Sequence, residues 1–279
     1  MGSHVADELS NKGLEVTIYD METSPWLRSD QQMIVGDLLD KDRVSAAVKH
    51  SDAICHFGGI ADLDAASQSP LKTIEVNVMG TSNLLDAMVE NDVDQFLFAS
   101  SMYIFSENKT FYGASKAAVE VLLDAFCANS KITCTRMRVG SLFGPRSQPW
   151  NGLRGIIDKV INDKKLEING QADDTREYIH VLDAARLCAR LVCEGLKSES
   201  LTVTGMQKYT KGEIINIICE LLDKHPEPHF SGGMHVSNHY RYTPYRYTPD
   251  LGKKIVLTEH IDFASGLLSM MDEMYEDRQ

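Results

Sequence analysis

A tyrosine and a lysine four residues apart, Tyr112 and Lys116, follow two serines, Ser100 and Ser101, that end an apolar run. If Tyr112 opens a helix, this spacing places its phenol and the Lys116 ammonium on one face. A neighbouring ammonium favours the phenolate and lowers the tyrosine pKa from about 10 toward neutrality. Tyr112 then becomes a usable general acid and base for an alcohol or a ketone, and Ser101 can hold the same oxygen.

Around this cluster, short apolar runs alternate with segments of helical periodicity. Strands are predicted at Glu15–Tyr19, Met33–Val35, Ala53–Phe57, Phe96–Ala99, Thr133–Val139 and Leu201–Thr204. Helices are predicted at Gly2–Asn11, Lys41–Lys49, Leu71–Glu90, Gly113–Ala128 and Asp183–Glu194. Strands separated by helices form parallel βαβ units, so the pattern predicts an α/β fold with a doubly wound parallel sheet.

The composition limits what the protein can bind. Its 279 residues carry a net charge of −12. This charge argues against a nucleic-acid-binding surface, because phosphate contacts need clustered Lys and Arg. No apolar run approaches the roughly 18 residues of a membrane span. The cysteines are scattered without a CxxC pair, which predicts reduced thiols in a cytoplasmic protein, and no metal-ligand spacing is present.

Short motifs along nearly the whole chain resemble, in their order, those of the extended short-chain dehydrogenase/reductase family. That family contains the NAD-dependent nucleotide-sugar epimerases and dehydratases. The motifs are Gly2-Ser3-His4, Val16–Asp20, Gly36–Leu38, His56–Gly59, Asn77–Thr81, Ser100-Ser101, Tyr112 with Lys116, Gly144-Pro145 and Arg176–Val181. The resemblance implies a Rossmann-like fold, NAD as cofactor and a nucleotide-sugar substrate. It also implies a homodimer that forms through the helices Leu71–Glu90 and Gly113–Ala128.

The resemblance also divides the chain. Residues 1–145 are expected to form an NAD-binding, Rossmann-like domain. Residues 146–279 are expected to form mainly a smaller substrate lobe, from which about 176–206 return to the sheet. Helices in this lobe are predicted at Gly152–Lys164, at Lys211–Leu222 and from Ile261 to Tyr275. The middle helix carries an apolar stripe of Ile214, Ile215, Ile218 and Leu221.

The family motifs imply roles for individual residues. The implied catalytic residues are Ser101, Tyr112 and Lys116. The implied cofactor-binding residues are Gly2, Asp20, Asp37, Leu38, Phe57, Gly58, Gly59, Asn77, Tyr112 and Lys116. The implied substrate-binding residues are Ser101, Ser141, Asn151, Arg176 and Arg241. No metal ion is implied.

Several of these residues also have ordinary structural interpretations. Asp20 ends a strand, where it can accept from ribose hydroxyls and favour NAD over NADP, but it is also typical of a turn. Asp37 and Leu38 suit a helix cap or turn as well as an adenine contact. His56 is expected to be a packed strand residue rather than a catalyst. Asn77 lies within a predicted helix, where an amide is unfavourable unless it bonds elsewhere.

Other positions depart from the family pattern. Gly58-Gly59 replaces paired alanines, and Phe105-Ser106 replaces the last two residues of a VYG motif. Ser141 stands where the family has asparagine, so a simple loop residue is an open alternative. Arg176 and Arg241 suit a diphosphate but also an ordinary solvated surface, and Arg241 lacks the Gly-Asp pair that follows it in the family.

The chain contains one glycine, Gly2, of the G-x-x-G-x-x-G loop that holds the pyrophosphate in this family. The preceding strand and two glycines are absent from the sequence. A shortened gene product, a natural form without dinucleotide binding and tag residues at the start are open explanations. We expect unpaired edges on the two strands beside the absent one. We also expect weak NAD binding and a lower stability than a form extended by about ten residues.

Met102 follows Ser101, where dehydratases and decarboxylases of the family carry an acidic side chain. Because methionine cannot transfer a proton, this residue disfavours dehydration. It favours an epimerase that oxidises a sugar carbinol, at C4, and reduces it again. Two alternatives stay open. One is a reductase or dehydrogenase of a keto-sugar or small alcohol, and the other is a non-catalytic family member that has lost cofactor binding.

Overall fold

The computed structural model of the protein describes residues 1–108, 110–231 and 242–244. The first half alternates helices and strands in the order predicted from the sequence. Its elements are α1 (Gly2–Asn11), β1 (Val16–Asp20), β2 (Gln31–Val35), α2 (Lys41–Val48), β3 (Ala53–His56), α3 (Leu63–Gln68), α4 (Pro70–Ile74), a π-helical turn (Glu75–Met79), α5 (Gly80–Glu90), β4 (Gln95–Ser101), a 3₁₀ turn (Met102–Phe105), α6 (Phe111–Asn129) and β5 (Thr133–Val139).

The second half contains shorter strands between three helices. Its elements are β6 (Ser141–Phe143), α7 (Gly152–Ile161), β7 (Glu167–Asn169), β8 (Thr175–His180), α8 (Val181–Glu194), β9 (Glu199–Val203), β10 (Lys208–Thr210), α9 (Lys211–Leu222) and β11 (His229–Ser231). The helix predicted from Ile261 to Tyr275 lies outside the described residues.

A parallel sheet of four strands, in the order β3-β4-β5-β9, forms the centre of the fold. Alternate residues of β4 enter different apolar clusters. Phe96 and Phe98 pack with Leu85 of α5, whereas Leu97 packs with Val5 of α1. The sheet is therefore covered on both faces, which explains the nearly continuous apolar sequence of its strands. β9 joins this sheet beside β5, whereas β8, which lies in the same expected segment 176–206, pairs with β6 and β10 in a separate sheet.

β1 and β2 form a separate parallel pair. Within the described residues, β1 pairs only with β2 and β3 only with β4, so each has an unpaired edge. Tyr19 of β1 and Ile54 of β3 nevertheless pack against one apolar cluster, and Val16 and Cys55 pack against the other. The two sheets therefore contribute to the same two apolar cores, one on each face.

The remaining strands form two small sheets. β8 lies between β6, which is parallel to it, and β10, which is antiparallel. β7 and β11 form a parallel pair. A third apolar cluster includes the predicted stripe residues Ile214, Ile215 and Ile218. Leu221 is a correction to that stripe, because its side chain is 81% exposed at the end of α9.

The predicted continuous helix Leu71–Glu90 is interrupted by the π-helical turn. The segment 61–70 contains α3, and the Asp62 carboxylate caps this short helix by accepting from the Ala65 N–H at 2.7 Å. Among the described residues, none of the helices is both long enough and apolar enough to cross a membrane.

Candidate active site

Ser101 lies where β4 ends and the 3₁₀ turn begins. Its side chain is buried, and Oγ accepts a hydrogen bond from the backbone N–H of Tyr103 at 3.2 Å. The Tyr103 ring meets the Tyr112 ring edge-on, with centroids 5.9 Å apart. The 3₁₀ turn that follows β4 is therefore packed against the first turn of α6.

The first turns of α6 carry Tyr112 and Lys116. The helix begins at Phe111, because the Thr110 hydroxyl caps it by accepting from the Gly113 N–H at 3.0 Å. Lys116 Nζ lies 5.9 Å from the Tyr112 ring centroid and 4.7 Å from that of Phe98. The lysine is only 5% exposed, and this burial lowers its pKa to about 8. Its cation therefore lies beneath the tyrosine, inside the protein.

Asn77 lies in the π-helical turn and is 2% exposed. Its Oδ1 accepts from the Ile60 N–H at 2.7 Å, and its Nδ2 donates to the Ile60 carbonyl at 3.0 Å. Nδ2 also donates to Ser115 Oγ at 2.9 Å, and Ser115 donates to the Tyr112 carbonyl at 2.8 Å. This amide therefore links the loop after β3 to the first turn of α6.

Gly59 makes that link sterically possible. Its φ angle is +137°, a region that favours glycine, and an added Cβ would lie 2.7 Å from Asn77 Oδ1. The adjacent Gly58 is less constrained, because an added Cβ would lie 3.2 Å from Leu38 Cδ1, the end of a flexible side chain that can shift by a few tenths of an ångström. Of the two predicted glycines, Gly59 is the one whose conformation requires that residue type.

His56 is packed in β3, as predicted. Its ring stacks near those of Phe96 and Phe98, with centroid distances of 6.1 and 6.0 Å. Thr81 Oγ1 donates to the Asn77 carbonyl at 2.6 Å, so its single proton is used, and His56 Nε2 donates to Oγ1 at 2.9 Å. Burial, followed by the charge of Lys116, lowers the His56 pKa to about 3, so the imidazole is neutral.

The predicted cofactor residues at the ends of β1 and β2 lie at the surface or in a turn. Asp20 ends β1 and is exposed. The Asp37 carboxylate accepts from the Leu39 N–H at 2.9 Å, which is the turn geometry that the sequence left open. Asp40, rather than Asp37, caps α2. Leu38 packs against the first apolar cluster.

Gly2 and Phe57 lie next to each other. An added Cβ on Gly2 would be 3.6 Å from Phe57 Cβ, so the start of α1 is beside the end of β3. The helix has Met1 as its N-cap, with no side-chain hydrogen bond to the first turn.

The predicted substrate residues are distributed over the second half of the chain. Ser141 of β6 and Arg176 of β8 lie on neighbouring strands. Asn151 caps α7 and donates to the Leu142 carbonyl at 3.1 Å. Arg241 lies outside the described residues.

Arg176 lines a cavity of about 230 Å³. The other lining residues are Thr175, Lys208, Tyr242 and Thr243. The two cationic side chains among these residues make the cavity suitable for an anionic group.

Two residues at the site were not predicted from the sequence. Ser115 connects Asn77 to the Tyr112 backbone, and its position three residues after Tyr112 was the available signal. Tyr103 packs on Tyr112 from the 3₁₀ turn, and no periodicity marks it, because the contact joins two separate elements.

Residues 1–204 match the model of a known family, described as the NAD dependent epimerase/dehydratase family. The chain belongs to this family. It is 26% identical over 242 residues to a dTDP-glucose 4,6-dehydratase of Neisseria gonorrhoeae, covering 78% of this chain and 69% of that protein. It is 25% identical over 240 residues to a putative UDP-glucose 4-epimerase of Methanocaldococcus jannaschii, covering 78% of each.

Solved structures of similar fold include a UDP-glucose 4-epimerase of Thermotoga maritima crystallised with UDP-glucose. The two folds superpose with a TM-score of 0.81 at 20% sequence identity, over 88% of this chain and 86% of that one. The family match is therefore consistent with the sequence motifs and with the Rossmann-like fold.

NAD is the cofactor of the epimerase/dehydratase family, and several described residues fit it. The first turn of α1 lacks a side-chain cap, and Asp20 presents an exposed carboxylate. Lys116 provides a buried cation. These groups have the chemistry that a dinucleotide with two ribose rings and a pyrophosphate requires.

Proposed function

We propose that this protein is a NAD-dependent nucleotide-sugar epimerase that acts by reversible oxidation of a sugar carbinol, at C4. The observation that carries the proposal is the buried Lys116 cation beside Tyr112, in the first turns of α6, which pack on the 3₁₀ turn that Ser101 caps. A nucleotide sugar as substrate is supported by the names of the relatives, a dTDP-glucose 4,6-dehydratase and a putative UDP-glucose 4-epimerase.

Met102 supports epimerisation over dehydration. Its side chain is fully buried, and the 3₁₀ turn that follows Ser101 contains no carboxylate. Elimination of water from a sugar needs a general acid near the leaving hydroxyl. Reversible oxidation needs only the acid/base that Tyr112 supplies.

The chemistry follows from the three side chains. NAD, when bound, supplies the acceptor and donor of hydride. Tyr112 takes the hydroxyl proton as the carbinol becomes a ketone, and it returns the proton when the ketone is reduced from its opposite face. The Lys116 cation stabilises the Tyr112 phenolate, and Ser101 positions the hydroxyl oxygen. General acid–base catalysis of this kind contributes about 10²–10⁴-fold to the rate.

The same proposal assigns the binding residues. The cofactor would contact the residues around the start of α1 and the ends of β1, β2 and β3, together with the Asn77 network: Gly2, Asp20, Asp37, Leu38, Phe57, Gly58 and Gly59. Arg176 would pair with the diphosphate of the substrate, which guanidinium geometry suits. Ser141 and Asn151 would contact the sugar.

We also propose a homodimer that forms through α4, α5 and α6. Apolar side chains on these helices and on the π-helical turn between α4 and α5 are unusually exposed, including Leu71 at 78%, Met79 at 54% and Val121 at 70%. Apolar patches of this kind mark protein–protein interfaces. Sedimentation equilibrium that shows only a monomer would contradict this assembly.

The cysteines support a cytoplasmic location. All six are free thiols, and burial raises the pKa of Cys55 and Cys134 to about 12. Buried, neutral thiols are typical of proteins in a reducing compartment. Oxidation to disulfides in the protein isolated from its native cell would contradict this placement.

The proposed activity is tested by incubating the purified chain with NAD⁺ and either UDP-glucose or dTDP-glucose. Sugar products are followed by NMR and reduced nicotinamide by absorbance. We expect a C4 epimer without net reduction of the cofactor. Tyr112→Phe should lower kcat by about 100-fold or more with an unchanged circular dichroism spectrum, because only a hydroxyl is lost.

Each other outcome contradicts the proposal in a different way. A deoxy keto-sugar product identifies a dehydratase. Net reduced nicotinamide identifies a dehydrogenase. If calorimetry detects no NAD⁺ binding and no product forms, the protein is a non-catalytic member of the family.

A further inference from the structure

A buried carboxylate connects the three elements that meet at the candidate active site. Ser100, the residue before Ser101, donates its hydroxyl to Glu120 Oε1 at 2.5 Å. Glu120 lies on α6, one helical turn beyond Lys116, and is 8% exposed. Arg138 of β5 donates to the same carboxylate, from Nε at 3.1 Å to Oε1 and from Nη2 at 2.7 Å to Oε2. One side chain therefore joins β4, β5 and α6.

The ion pair also reaches the far end of the 3₁₀ turn. Arg138 Cζ lies 4.9 Å from the centroid of the Phe105 ring. Ser101 caps the start of this turn and Phe105 is its last residue. Glu120 thus contacts the near end through Ser100, and Arg138 contacts the far end through Phe105.

The main effect of the Glu120–Arg138 ion pair is to fix the relative positions of its elements, rather than to add to the free energy of unfolding. Removing a carboxylate and a guanidinium from water is costly, and apolar residues of similar size often stabilise a core as well. A two-pronged, charge-assisted contact instead fixes distance and direction. Such a contact suits a site where the reacting groups must keep a defined separation.

We propose that Glu120, paired with Arg138, is a positioning residue that fixes Ser101 against Tyr112 and Lys116. The expected effect on kcat rests on the proposed epimerase activity. The expected effect on the order of the 3₁₀ turn does not. The hydrogen bonds of the Glu120 carboxylate described above go to Ser100 and Arg138. Glu120 therefore acts on the end of β4, which carries Ser101, and not on the reacting groups themselves.

A second ion pair between the same two elements provides a matched control. Arg136 of β5 donates to Asp124 of α6 at 2.6 Å. Asp124 lies one turn beyond Glu120, and its side chain is 74% exposed. Asp124→Asn therefore removes a β5–α6 ion pair without altering the contact to Ser100.

The kinetic test compares three variants in the epimerase assay. Glu120→Gln keeps an acceptor for Ser100 but loses the charge that Arg138 pairs with. It should lower kcat about 10–100-fold and leave the sugar KM within about twofold, because small misplacements of reacting groups act on the chemical step. Ser100→Ala removes one contact and should lower kcat about 3–10-fold, while Asp124→Asn should stay within about twofold.

A second readout needs neither substrate nor cofactor. The Tyr103 amide, which bonds to Ser101 Oγ at 3.2 Å, reports the order of the 3₁₀ turn through hydrogen exchange. We expect faster exchange at Tyr103 in Glu120→Gln and in Ser100→Ala, unchanged exchange there in Asp124→Asn, and unchanged exchange in the central strands of all three.

The two readouts separate the inference from the proposed function. If the wild-type chain has no epimerase activity but Tyr103 exchange rises only in Glu120→Gln and Ser100→Ala, the positioning role stands and the proposed function fails. If Glu120→Gln matches Asp124→Asn in kcat and in Tyr103 exchange, the positioning role is wrong. Faster exchange throughout the sheet also overturns it, because the pair is then a general stability element. If Glu120→Gln does not fold, the comparison of Ser100→Ala with Asp124→Asn in kcat and in Tyr103 exchange tests the positioning role instead.

Discussion

Burial sets the protonation of the two nitrogen bases behind the candidate active site. Lys116 and His56 are each 5% exposed. Desolvation lowers the lysine pKa to about 8, and desolvation together with the lysine charge lowers the histidine pKa to about 3. At neutral pH the lysine is therefore charged and the histidine neutral. This difference leaves Lys116 as the cation that lies beneath Tyr112.

The depressed lysine pKa makes stability depend on pH. Between pH 8 and 10.5 the unfolded chain holds this proton more firmly than the folded chain, so unfolding becomes less favourable as pH rises through that window. Relative to Lys116→Met, the wild-type free energy of unfolding should rise by about 3 kcal/mol across it, and denaturant unfolding measures this difference. The exposed Lys131→Met serves as the control. A flat difference for Lys116→Met would show that the folded-state pKa is not depressed.

At the scale of elements, the loop after β3 is joined to the first turn of α6 through the π-helical turn. Asn77 bonds both backbone groups of Ile60 and the Ser115 hydroxyl. Gly59 is held in a left-handed conformation in contact with this amide. The wider π-helical turn interrupts the helix at Asn77, and π-bulges of this kind are frequent at functional sites.

Gly59→Ala should destabilise the protein by about 1–3 kcal/mol, because the added Cβ meets Asn77 Oδ1 and the backbone angle is unfavourable for alanine. Urea unfolding measures the loss. Gly155→Ala in α7 is the control, since nothing lies within 4 Å of an added Cβ there. That change should be neutral or stabilise by up to about 1 kcal/mol. Equal effects of the two substitutions would refute the steric account of Gly59.

At the scale of the whole molecule, the parallel sheet is divided between β1 and β3. The two parts are held by helices on both faces rather than by a continuous backbone ladder. Unpaired edges of parallel strands are normally buried in this type of fold. Gly2, at the start of α1, lies beside Phe57 at the end of β3, which is one of the two strands that border this division.

An added strand tests the consequence of this division. We expect a variant with about ten extra residues before Gly2, comprising an apolar strand and a G-x-x-G turn, to melt at a higher temperature and to bind NAD⁺ more tightly than the present chain. Calorimetry measures both quantities. A Gly/Ser extension of the same length controls for chain length. Equal NAD⁺ affinity in all three proteins would show that the divided sheet does not limit cofactor binding.

The sequence by itself determined the order of helices and strands in the first half, the pairing of Tyr112 with Lys116 and the packed position of His56. These features depend on local patterns. An apolar run followed by a periodic segment predicts a strand and a helix, and residues four apart share a helix face whatever lies around them. The family motifs are equally local, which is why the match over residues 1–204 agrees with them.

Only the tertiary structure decided features that depend on partners distant in the chain. The helix around Asn77 is interrupted because its amide bonds residues 17 and 38 positions away. Glu120 and Arg138 are 18 positions apart, and no periodicity relates them. The family resemblance predicted the unpaired strand edges. The sequence of neither strand predicted that β1 and β3 pack against the same two apolar clusters. Side-chain partners and edge pairing are set by packing, and packing is a property of the folded chain.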